Sequence, residues 1–77
     1  MPLNLQKKGF CGVIDSLTGD PVIVERLHEL GFLSGQVVTL LLKTPFAGPF
    51  IVKVNDVTVA LRSEEAACIE VLESPSL

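Results

Sequence analysis

Phe50-Ile51-Val52-Lys53-Val54-Asn55-Asp56-Val57-Thr58-Val59-Ala60-Leu61 is the stretch that decides the fold. Two alternating runs flank Asn55-Asp56, and both of those residue types tolerate positive φ, so the spacing predicts a two-residue type I′ hairpin. The turn sets the register: Val54 opposes Val57, Val52 opposes Val59 and Phe50 opposes Leu61. Facing partners in a ladder point the same way, so those six side chains share one face. Lys53 with Thr58 and Ile51 with Ala60 occupy the other, mostly solvated face. A slip of one residue would mix Val with Lys.

An apolar hairpin face needs a cover, and the segment from Asp20 to Gly35 can supply one. Asp20 is an N-cap and Pro21 fits the first helical position, where a backbone N–H has no partner anyway. Ile23, Val24, Leu27 and Leu30 recur at helical spacing. Gly31 stands where a left-handed residue ends a helix, and Phe32 and Leu33 can fold back on the last turn. Gly35 supports a second turn.

The flanking segments read as β-structure. Leu3 and Leu5 alternate with polar residues and can lay an arm on the domain, and Lys7-Lys8-Gly9 is a turn. Phe10 to Leu17 is a first strand, and Gln36 to Lys43 a second. The second is apolar on both parities, which implies cover on both faces or closure of a small barrel. Thr44-Pro45-Phe46-Ala47-Gly48-Pro49 interrupts regular structure. Ser63 can N-cap one helical turn, with Glu64 and Glu65 at its N-terminal dipole. Cys68 to Leu72 is the last strand, and residues 73–77 read as a frayed tail. The expectation is one mainly β domain over residues 1–77, with a core of about 3–72: a small five-stranded barrel with one inserted helix and a helical turn before the last strand.

Size and charge narrow the function. At 77 residues the chain is near the lower limit for a core without staples. With no Trp or Tyr and 48% hydrophobic residues, that core must be mainly Val, Leu and Ile. The net charge is −3 and the six basic residues are scattered, which argues against nucleic-acid binding. No apolar run approaches the ~20 residues of a membrane span, and the first residues carry no export signal. A cytoplasmic location is expected, with both cysteines reduced.

Phosphate-loop, dinucleotide and zinc-ribbon spacings are missing. The single histidine, His28, has no nucleophile legibly paired with it, so the chain reads as a non-enzyme. Cys11, His28 and Cys68 are ligand types suited to Fe(II) or another divalent transition metal; the bland alternative is two structural thiols and a surface histidine. Arg26 can pair locally with Glu29, or reach a partner, even as an arginine finger to a GTP-binding protein. Phe46, on a Pro- and Gly-framed loop, either caps the barrel or stands out as a protein contact.

Gly12-Val13-Ile14, Glu25 to Gly35, Pro45 to Pro49, Val59 to Ala66 and Ile69-Glu70-Val71, in this order and spacing, make the chain resemble the FeoA family, over about Leu3 to Leu72. The resemblance implies an SH3-like barrel and a role in bacterial ferrous iron uptake. The implied partner is the cytoplasmic GTP-binding domain of the FeoB membrane transporter, reached by protein contact. It carries no catalytic motif and no required cofactor, and it sets no oligomeric state. Because SH3-like barrels bind through grooves between loops, Pro45, Phe46 and Pro49, with Arg26 and Phe32, are the expected contact residues. A metal sensor using Cys11, His28 and Cys68, and a GTPase-activating partner using Arg26, are the competing readings.

Overall fold

In the computed structural model, which describes residues 1–46 and 48–73, a single 3₁₀ turn at Leu3–Leu5 leads into the regular elements. These are β1 (Cys11–Leu17), α1 (Pro21–Glu29), β2 (Val37–Lys43), β3 (Phe50–Val54), β4 (Val57–Leu61), α2 (Ser63–Ala66) and β5 (Ile69–Glu73). The five strands form one antiparallel sheet in the order β4-β3-β2-β1-β5. This is the SH3-like arrangement expected, with the helix inserted between the first two strands. Ala47 and residues 74–77, including all but the first residue of the expected tail, lie outside the described residues. Glu73 itself ends β5.

The hairpin has the register the turn requires, from Phe50 opposite Leu61 to Val54 opposite Val57. Asn55 and Asp56 take φ of 50° and 62°, the left-handed pair of a type I′ turn. Phe50, Val52, Val54 and Leu61 are buried, whereas Val57 is 53% exposed. The cover therefore runs out at the turn end of β4.

The helix is held at both ends as its sequence dictates. The Asp20 carboxylate accepts from the Val22 N–H at 2.9 Å. At the other end Gly31 has φ of +103°. Its N–H donates to the His28 carbonyl and that of Phe32 to the Leu27 carbonyl, each at 3.0 Å, the two bonds of a Schellman motif. The motif drives Phe32 onto Leu27, and both are buried. Leu33, by contrast, stays exposed, and Leu30 is at the surface. Asn55 Nδ2 donates to the Gly31 carbonyl at 3.3 Å, tying the hairpin turn to the end of the helix.

Three sequence expectations are corrected. β2 is covered on one face only: Val38 and Leu40 are buried, while Val37, Leu41 and Leu42 are exposed. A register shift explains this, because Leu40 pairs with Val52 and Leu42 with Ile51, leaving Leu41 as a bulge. A similar shift in β1 falls at Asp15, between Ile14 and Ser16. Bulges bend strands, which suits a sheet that must curl around so small a core. Secondly, α2 begins one residue earlier than its hydroxyl suggests. Arg62, not Ser63, is the N-cap, and its N–H donates to Glu65 Oε1 at 2.8 Å. Thirdly, only Leu3 of the N-terminal arm is buried, while Leu5 is exposed.

Candidate partner-binding site

The loop between β2 and β3 is built to hold an aromatic ring in solvent. Its base is closed by Thr44, whose hydroxyl donates to the Pro49 carbonyl at 2.7 Å. Within it, the Gly48 N–H donates to the Pro45 carbonyl at 3.2 Å. Lys43 braces the same end, with Nζ donating to the Gln6 carbonyl at 3.1 Å and lying 5.5 Å from the Phe50 ring centroid. At the tip Phe46 is 99% exposed and has φ of +58°. A bulky residue in the left-handed region carries a backbone cost of about 1–3 kcal/mol. The ring does not fold back to cap the barrel; it stands in solvent. Pro45 and Pro49 are exposed beside it.

Pro49 also forms one wall of a surface depression of about 360 Å³, shared with Arg62, Ser63 and Glu64 at the start of α2. These three residues were not legible as site residues, because nothing local brings α2 beside the Phe46 loop. The pairing of Phe50 with Leu61 does so, by setting the ends of β3 and β4 side by side.

Arg26 reaches α2, whose first residues line this depression. Its Nη1 donates to Glu65 Oε2 at 2.7 Å, so the expected local pair with Glu29 gives way to one that spans 39 residues of chain. Glu65 is buried, and its two oxygens are met by the Arg26 guanidinium and the Arg62 N–H. A buried carboxylate left without partners is costly, so this demand outweighs a weak surface pair. Arg26 is thereby committed to holding α2, although its side chain remains 62% exposed. Phe32 is a correction of a different kind. It is fully buried in the core and has no surface to offer a partner.

The three candidate metal ligands are not brought together. Cys11, exposed at the start of β1, has Thr39 as its neighbour. Cys68 is buried beyond the other end of β1, where its carbonyl accepts from the Thr18 N–H at 2.9 Å. The length of β1, about 20 Å of strand, separates them. His28 is exposed on α1. Among the described residues no group of three His, Cys, Asp or Glu side chains is close enough to hold a metal. The donor set does not fit a single ion.

No helix among the described residues is long and apolar enough to cross a membrane. Residues 1–73 match the family model described as the FeoA domain. A relative from Porphyromonas gingivalis (strain ATCC BAA-308 / W83), an Fe(2+) transport protein A/Fe(2+) transporter FeoB fusion protein, is 35% identical over 71 residues. Those residues are 92% of this chain but 8% of the relative, so the chain spans a small part of it. Two solved structures share the fold. The FeoA of Stenotrophomonas maltophilia, complexed with zinc and described as a prokaryotic SH3 domain protein, is 32% identical with a TM-score of 0.80, covering 92% of this chain and 88% of that one. The solution structure of FeoA from Chlorobium tepidum is 29% identical with a TM-score of 0.85, covering 95% of this chain and 70% of that one.

Proposed function

The chain belongs to the FeoA domain family, which is involved in ferrous iron transport, and from that premise we propose that it is an accessory protein that docks on the cytoplasmic GTP-binding domain of a FeoB-type transporter. It works by contact and carries out no chemistry of its own. The observation that carries this reading is Phe46, a nearly fully exposed ring on a loop whose backbone is tied at its base. A phenylalanine in water, held there against its backbone preference, is a poor choice for folding and a good one for binding. Pro45 and Pro49 flank it in the loop, and Pro49 also borders the depression at Arg62, Ser63 and Glu64.

The fusion in the Porphyromonas gingivalis relative supports the choice of partner. The cytoplasm is the compartment this role requires. Titration of a purified FeoB-type cytoplasmic domain with this chain tests the reading: saturable binding is expected, and no binding at millimolar concentration removes it.

A further inference from the structure

The two edges of the sheet are treated differently. At the β5 edge the N-terminal arm runs alongside the strand: the Val71 N–H donates to the Met1 carbonyl at 2.7 Å, and Pro2 bridges Glu70. At the other edge β4 pairs with β3 alone. Among the described residues it makes no backbone hydrogen bond outside that ladder.

The hairpin turn determines which groups are left over. A two-residue turn makes the flanking Val54–Val57 pair a hydrogen-bonded one, and the alternation of an antiparallel ladder then bonds Val52–Val59 and Phe50–Leu61. Thr58 and Ala60 therefore direct their N–H and C=O groups away from β3, and both residues are exposed. Natural edge strands are blunted by charge, proline or a bulge. β4, VTVAL, has no charged residue and no proline, and its ladder with β3 runs without a shift. On its inner side Val57 is 53% exposed and Val59 half-buried.

We propose that the outer edge of β4 is a second part of the docking surface, receiving an extended segment of the transporter's cytoplasmic domain that adds to the sheet as a sixth strand. This rests on the adaptor reading. The segment's backbone pairs with Thr58 and Ala60, and its alternate side chains, apolar ones, lie against Val57 and Val59. A second copy of this chain is the poorer occupant. Two five-residue edges laid together bury far less than the ~1,200 Å² of a stable specific interface. A segment of different sequence can continue past Leu61 to the depression at Arg62 and Ser63, which lies beside Pro49 of the Phe46 loop. Strand edge, depression and exposed ring then form one continuous contact.

The test uses this chain with the isolated cytoplasmic domain of a FeoB-type transporter as probe, reading affinity and amide hydrogen exchange together. Ala60→Pro removes an outward donor without costing a bond to β3; Ala60→Lys, which puts a charge beside the incoming strand, serves if the proline variant fails to fold. On binding, the Thr58 and Ala60 amides are expected to exchange at least tenfold more slowly, and either variant to bind at least tenfold more weakly. Wild-type binding with those amides unchanged and both variants binding normally overturns the edge site and leaves the adaptor reading standing. No binding by the wild type overturns both. Self-association of this chain that is lost in Ala60→Pro, with β4 unprotected by the transporter domain, assigns the edge to a second copy and overturns the proposal.

Discussion

Arg26 and Glu65, 39 positions apart in the chain, meet at 2.7 Å and join α1 to α2, the short helix that borders the candidate site. The carboxylate is buried and the guanidinium is largely in solvent. The bond is thus less a surface ion pair than the satisfaction of an interior acceptor. Replacing Arg26 with Ala strands one oxygen of Glu65, with an expected loss of about 1–3 kcal/mol in urea-induced unfolding. The Arg26→Ala/Glu65→Ala cycle should show a coupling of at least ~1 kcal/mol, above the usual surface pair. A loss below ~0.5 kcal/mol would mean that the pair does not hold α2.

An arginine already engaged in this way is not free to act as a finger on a bound nucleotide. GTP turnover by a FeoB-type cytoplasmic domain is expected to stay flat when this chain is added. A rise that collapses with Arg26→Ala would show that the guanidinium leaves Glu65 in the complex.

Phe32 separates folding from binding. Phe32→Ala should cost about 3–5 kcal/mol, as for other fully buried aromatic residues. Phe32→Leu, which refills most of the space, should lose less than ~1.5 kcal/mol and bind the transporter domain as the wild type does. Weakened binding by a folded Phe32→Leu would return this residue to the interface.

The separation of the thiols makes a prediction about metal. Anaerobic Co(II) titration should give no thiolate charge-transfer band that requires both Cys11 and Cys68. A band present in the wild type and lost when either cysteine alone is changed to Ser would contradict the placement of the two residues at opposite ends of β1.

How far the sequence could be read follows from the range of the forces involved. The hairpin and both ends of α1 were legible because local rules decide them. Asn55-Asp56 sets the register on its own, and Asp20, Pro21 and Gly31 each act within one turn of their position. The Phe32 assignment failed although its signal was present, since a hydrophobic residue directly after the capping glycine belongs to the Schellman contact with Leu27. The Leu41 bulge was not legible, because an apolar strand reads the same with or without an extra residue. Nor was the partner of Arg26, which depends on where Leu61 delivers α2. The loop chemistry marks Phe46 for attention, yet only the three-dimensional structure says that it faces outward.

The central claim is that Phe46 is an anchor for the transporter domain, and the ratio of affinities of wild type and Phe46→Ala for a FeoB-type cytoplasmic domain tests it most directly. Because the ring touches solvent rather than the core, the variant should unfold at the same denaturant concentration as the wild type. Its binding should be at least tenfold weaker, a loss of about 1.4 kcal/mol or more. Equal affinities for two equally stable proteins would contradict the account.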